Sequence, residues 1–163
     1  MKRIGVITYY KSLNYGAFLQ CYALQKILKE NNNSSVIDYI STEDLLKYRL
    51  ISTKSIKATI KSIILLPINI KRKHNFSKAQ KKLHLSNTDD PHDIIIVGSD
   101  QMWNPNLNGG KLDKMYTLEH IDAPKKISYA VSVGDDSVID ENEEESKEII
   151  RRLDHTSVLE EST

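Results

Sequence analysis

A chain of 163 residues is the size of one ordinary domain. Its 39% apolar content suffices for a core, and a formal net charge of +1 excludes a global field that would gather nucleic acid or membrane. A single cysteine, Cys21, excludes an intrachain disulfide, the N-terminus lacks the apolar run of a signal peptide, and no apolar run nears transmembrane length; a cytoplasmic, soluble protein is expected.

In chain order, IGVITYY (4–10) is short and β-branched, a buried strand. YGAFLQCYALQKILKE (15–30) carries Ala17, Cys21, Leu24 and Leu28 on one apolar stripe and reads as a helix, with Asn14 placed to cap it and Asn31 to Asn33 to stop it. SVIDYI (35–40) is a second strand, so a β-α-β unit with parallel strands opens the chain. DIIIVGS (93–99) is a third strand, whose continuous apolar run fits burial on both faces. KISYAVSV (126–133) is a fourth, EEESKEIIRRLD (143–154) a short helix, TSVLEE (156–161) a fifth strand, and MYTLEH (115–120) an edge strand. The fold class is α/β, one Rossmann-like parallel sheet with flanking helices.

The charge is distributed unevenly. Residues 45–85 hold eleven Lys or Arg and no Asp or Glu, whereas residues 135–148 hold eight Asp or Glu and one Lys. Within the basic stretch Lys54, Lys57 and Lys61 share one helical face, Ile56, Ile60, Ile63 and Ile64 lie largely opposite, Pro67 ends the pattern, and a second basic helix runs from about 71 to 83. Residues 43–85 therefore read as a basic helical insertion. Two uses stay open for it: solvated faces over a covered sheet edge, or contact with anionic lipid headgroups or a lipid-linked substrate. Nucleic acid is discounted, because aromatic residues are not interleaved with the lysines.

Ligands of parallel α/β sheets bind beyond the carboxyl ends of the strands. Three stretches fall there. In GSDQMWN (98–104), Gly98 allows a turn or close approach, Asp100 can accept a proton or a sugar hydroxyl, Ser99, Gln101 and Asn104 can donate and accept, and Trp103 offers a flat apolar face for a pyranose. The same stretch also reads as a capped loop, with Asp100 an N-cap, Trp103 a core plug and Asn104-Pro105 a turn. In SLNYGAFLQ (12–20), Asn14, Tyr15 and Gly16 line a helix N-terminus, where anions are favoured, with Gln20 one turn in; a capped helix start with Tyr15 as a packing staple is the alternative. In YAVSVGDDS (129–137), Ser132, Gly134 and Asp135 follow a strand end. G-x-G-x-x-G, Walker A and G-x-S-x-G patterns are absent, the five histidines lack metal spacing, and Cys21 sits on an apolar helix face; no cofactor and no metal are expected.

SLNYGAFLQCYALQ, DIIIVGSDQMWNP, KKISYAVSVG and LDHTSVLEES resemble, in that order, the N-terminal half of the polysaccharide pyruvyl transferase family. The resemblance runs from about residue 3 to the last residue, and only 45–85 lacks a signature. It implies a two-domain architecture similar to the glycosyltransferase B fold, with the acceptor sugar held by the N-terminal domain and the donor mainly by the C-terminal one. This chain then looks like a single acceptor-side domain, 1–163, with the donor domain absent. The family moves pyruvate from phosphoenolpyruvate, a donor substrate and not a cofactor, onto a sugar of a surface polysaccharide or exopolysaccharide as a ketal. The implied partners are the sugar acceptor, lipid-linked in one version, and a C-terminal half if the gene is split, at a cytoplasmic site peripheral to the inner membrane face. Asp100 is expected to orient the attacking hydroxyl as base, with Ser99, Gln101, Trp103 and Asn104 gripping the acceptor beside Asn14, Tyr15 and Gly16. One departure is Leu159, where the family commonly has Arg, a residue that would hold an anion bidentately. Two other functions stay open: a sugar-nucleotide glycosyltransferase half, and a non-catalytic glycan-binding or partner-docking domain.

Overall fold

The computed structural model describes residues 1–51, 55–134 and 143–158. Six strands form one parallel sheet: β1 (Arg3–Ile7), β2 (Asn33–Ile37), β3 (Leu85–Ser86), β4 (Ile94–Asp100), β5 (Lys126–Val131) and β6 (His155–Val158). Their order in space is β3-β2-β1-β4-β5-β6. The helices are α1 (Tyr15–Leu28), α2 (Thr42–Lys47), α3 (Ile56–Ile64), α4 (Leu66–Gln80) and α5 (Glu143–Arg151). This is the expected α/β Rossmann-like arrangement.

Alternation along the central strands divides the core into two layers. Val6 and Val36 face one side and pack with Tyr10, Cys21 and Leu83 under α1. Ile7, Ile37, Ile95 and Val97 face the other side, which is covered by Met102, Trp103, Tyr116, Leu118 and Ile121, with Ile149 of α5. Much of the second layer is therefore coil, residues 101–123, and not helix. Asn14 caps α1 as expected, its Oδ1 accepting from Gly16 N at 2.8 Å.

Three expectations are corrected. MYTLEH is a series of turns and not an edge strand: Thr117 N donates to Asp113 O and Glu119 N to Lys114 O, both at 2.9 Å, so the N–H groups a ladder would need are spent locally. Tyr116 and Leu118 then point into the core. The second basic helix begins at Leu66, earlier than about 71, because Pro67 lies in the first turn of α4, where a missing N–H costs nothing. The first basic helix does not lie on the sheet: α3 buries none of its residues. β3 and α2 were not anticipated; α2 is started by Ser41, whose Oγ accepts from Asp44 N at 3.2 Å. Among the described residues no helix is long and apolar enough to cross a membrane. Lys54, Asp135 and Leu159 lie outside the described residues, as do the last positions of the strand expected at 156–161.

Candidate active site

β1 lies between β2 and β4, so the connections leaving β1 and β4 diverge to opposite sides, and a crevice opens between their carboxyl ends. A cleft of about 290 Å³ occupies that position. Tyr9, Ser12 and Asn14 line it from the loop after β1, and Asp100 and Gln101 from the end of β4. α2 adds Asp44 and Lys47, its C-cap adds Tyr48, and Leu107, whose carbonyl accepts from Lys47 Nζ, completes the lining. The cleft thus joins two of the three stretches singled out from sequence.

Asp100 Oδ1 accepts from Gln101 N at 2.8 Å, and Oδ2 receives no hydrogen bond from any described residue. Tyr9 forms the floor: its hydroxyl accepts from Asn108 Nδ2 at 3.3 Å and points toward Gln101 O at 3.5 Å. Burial, reinforced by the nearby Asp44, Asp100 and Asp113 charges, raises the Tyr9 phenol far above its usual range and keeps it neutral. Burial also raises the Asp44 carboxyl, against the pull of Lys47, whose Nζ lies 3.6 Å away and also donates to Leu107 O at 3.3 Å. Ser12 is buried at 7% exposure; its Oγ forms no hydrogen bond of normal geometry, and a weaker contact with the Tyr48 hydroxyl lowers the pKa of that phenol against the larger, raising effect of burial. A wall that presents the Asp100 carboxylate and the Asn14 and Gln101 amides, with the Ser12 hydroxyl just behind it, suits a ligand rich in hydroxyl groups.

Other residues named from sequence lie elsewhere. Trp103 is the main correction: it is 6% exposed, its ring sits in the second core layer, and Nε1 donates to Tyr116 O at 3.1 Å. Of its two readings, geometry matches the core plug, since the residues after Asp100 turn back beneath the sheet end and leave no ring face for a pyranose. Asn104 caps the 3-10 turn at Pro105–Leu107, with Oδ1 accepting from Asn106 N at 3.0 Å, and its Nδ2 donates to Gln101 Oε1 at 3.0 Å. Ser132 is buried at 1% exposure, and its Oγ accepts from Gly134 N at 2.9 Å. Tyr15 leans on Phe76 of α4, with ring centroids 4.7 Å apart. Gly16 and Gln20 are exposed on α1 outside the cleft lining, and Ser99 is half-buried, also outside it. Gly98 serves a close approach, but to the protein itself: at φ +130° a Cβ there would stand 1.9 Å from Tyr129 O on β5. Cys21 is buried and its thiol is pushed up to about 12 by burial, which makes it inert as a nucleophile.

Sequence reasoning missed Tyr9, Ser12, Asp44, Lys47, Tyr48 and Leu107. A second hollow of about 360 Å³ adjoins the cleft across α2 and is lined by Tyr39, Asn108, Asp113 and His120 among others. Tyr39 donates to Asp113 Oδ2 at 2.7 Å, and Asn108 Oδ1 is buried there without a partner.

A family model described as polysaccharide pyruvyl transferase matches residues 14–158, most of the chain. No curated protein and no solved structure matches it.

Proposed function

The chain belongs to the polysaccharide pyruvyl transferase family, and from that membership we propose that its cleft holds the sugar acceptor of a ketal-forming pyruvyl transfer from phosphoenolpyruvate. The supporting observation is the meeting of Asn14, Ser12 and Asp100 in one cleft at the point where the strand order reverses. In this reading Asp100 accepts the proton of the attacking sugar hydroxyl through Oδ2, while Oδ1 stays fixed by Gln101 N. Ser12 and the Asn14 and Gln101 amides hold neighbouring hydroxyls, and Tyr48 and Leu107 supply the apolar surface that Trp103 does not.

The transfer begins with protonation of the donor methylene, which leaves its central carbon electrophilic. A first sugar hydroxyl bonds to that carbon, the bond to phosphate breaks, and a second hydroxyl closes the ketal. Of the two hydroxyl protons released, one balances the proton now on the methyl group and the other leaves with phosphate. The donor's phosphate and carboxylate require cations; as in the two-domain arrangement that the resemblance implies, these would face the cleft from the opposite side.

The test is transfer of label from phosphoenolpyruvate to glycan by the active protein. Asp100→Asn should lower turnover roughly 100-fold or more with an unchanged unfolding midpoint; full retained activity rejects the base. Label arriving from a nucleotide sugar, and not from phosphoenolpyruvate, would reject the reaction and favour a glycosyltransferase.

A further inference from the structure

The first basic helix of the insertion, α3, solves no packing problem for the sheet, since it buries none of its residues. In α3, Ile56, Ile60, Ile63 and Ile64 recur on one stripe, and they are 81%, 54%, 52% and 71% exposed. Ile68 and Ile70 at the start of α4 extend the apolar surface and are also exposed. A groove of about 320 Å³ runs along it between Lys57, Ile60, Lys61 and Ile64. A nine-residue helix with no buried side chain has little to hold it in water, because short helices depend on burying an apolar face. The stripe calls for a covering surface.

Charge identifies the kind of surface. Lys57 and Lys61 flank the isoleucines one position on, where their stems can lie along the apolar stripe while the ammonium groups reach outward. Lys71, Lys73 and Lys78 of α4 are exposed as well. Residues 45–85 contain no Asp or Glu, so a second copy presenting the same face would oppose lysine to lysine. Exposed isoleucines are out of place against nucleic acid. An apolar stripe bordered by lysine is the pattern of a helix lying in the headgroup region of an anionic bilayer.

We propose that α3 and the start of α4 form a docking surface for an anionic lipid bilayer. The arm is firmly joined to the body beside the cleft. Phe76 is buried against Tyr15, Gln80 Nε2 donates to Tyr10 O at 3.0 Å, and Arg72 donates to Leu13 O. Leu13 lies between the cleft residues Ser12 and Asn14. Docking therefore holds the cleft close to the lipid surface, whichever reaction the cleft performs; the inference does not depend on pyruvyl transfer.

The test is co-sedimentation of the whole protein with vesicles of phosphatidylcholine alone or mixed equally with phosphatidylglycerol. Binding should need the anionic lipid and weaken as salt rises. Lys57→Ala with Lys61→Ala should lower partition roughly 25-fold, at about fivefold per cation. Ile60→Ser with Ile64→Ser should lower it at least about tenfold, with the far-ultraviolet circular dichroism of the body retained. Binding that ignores lipid charge, or that survives both double substitutions, overturns the proposal. So does a dimer in sedimentation equilibrium that the isoleucine substitutions disperse while vesicle binding is absent.

Discussion

Replacing Trp103 with Phe separates a structural indole from a ligand-binding one. The ring is 6% exposed among Tyr9, Met102 and Tyr116, and Nε1 satisfies Tyr116 O at 3.1 Å. Phe fills part of the space. The lost apolar contact costs about 1 kcal/mol, taking roughly 40 Å² at about 25 cal/mol per Å². The stranded carbonyl and the residual void add about 1–2 kcal/mol. The sum, about 2–3 kcal/mol, should lower the thermal midpoint by about 5–10 °C in a chain of this size. Calorimetry with near-ultraviolet circular dichroism measures it. Trp103 is the only tryptophan, so the native protein offers a second readout: its fluorescence should be blue-shifted and should resist both aqueous quenchers and added sugar. An unaltered midpoint combined with lost glycan binding would refute the reasoning and return the indole to the binding surface.

Gly98→Ala should destabilise by several kcal/mol or prevent folding, because the new Cβ would stand 1.9 Å from Tyr129 O in the β4–β5 ladder; chemical denaturation measures this, whereas Gly110→Ala, with no atom within 4 Å, should cost only the strain of its positive φ. His92 is buried, with Nε2 3.3 Å from Ser35 Oγ and 3.2 Å from Ser86 Oγ, and burial lowers its pKa. The unfolded chain therefore binds the extra proton first, so stability should fall as pH drops below about 6.5, and His92→Gln should flatten that slope in denaturation curves. Asp44 has the opposite sign: its raised pKa means the folded state keeps a proton that the unfolded chain gives up, so its contribution to stability is lost as pH rises above the ordinary carboxylate value. Asp44→Asn should remove that loss and leave neutral-pH stability equal or higher, as read from unfolding midpoints across the acid range. Ser12→Ala should leave stability within about 0.5 kcal/mol, since its Oγ has only a weak contact with the Tyr48 hydroxyl to lose; if the hydroxyl holds the acceptor, the acceptor KM should rise while kcat holds.

The sheet was legible because its central strands carry long β-branched runs, Ile4 to Ile7 interrupted only by Gly5, and Ile94 to Val97 without a break. Two walls of the cleft were legible for a related reason: each such run gives way abruptly to polar residues, and in a parallel sheet those residues fall on one rim. The third wall was not. Asp44 and Lys47 belong to α2, six residues long, and Tyr48 caps its end; they lie where the motif-free basic stretch begins, and only tertiary folding brings them beside Asp100. Tyr9 continues the apolar run of the first strand in sequence, although β1 stops at Ile7 and the next residues turn. Trp103 shows the limit of residue type as a guide. An indole beside a carboxylate suits a sugar or a core equally well, and the choice was made by the turn at Asp100, where Met102 N bonds back to Asp100 O at 2.8 Å.

The partners of β1 are widely separated along the chain. Ile4 lies opposite Ser34 on one side but opposite Ile94 on the other. During synthesis the first β-α-β unit can assemble early, yet one edge of its innermost strand stays unpaired until the ribosome has delivered the whole lysine-rich arm. Parallel pairing across so long a loop is slow, and an open apolar edge in that interval invites pairing with a neighbouring nascent chain. Yield in a heterologous host should therefore respond more to growth temperature and translation speed than to the equilibrium stability of the finished domain.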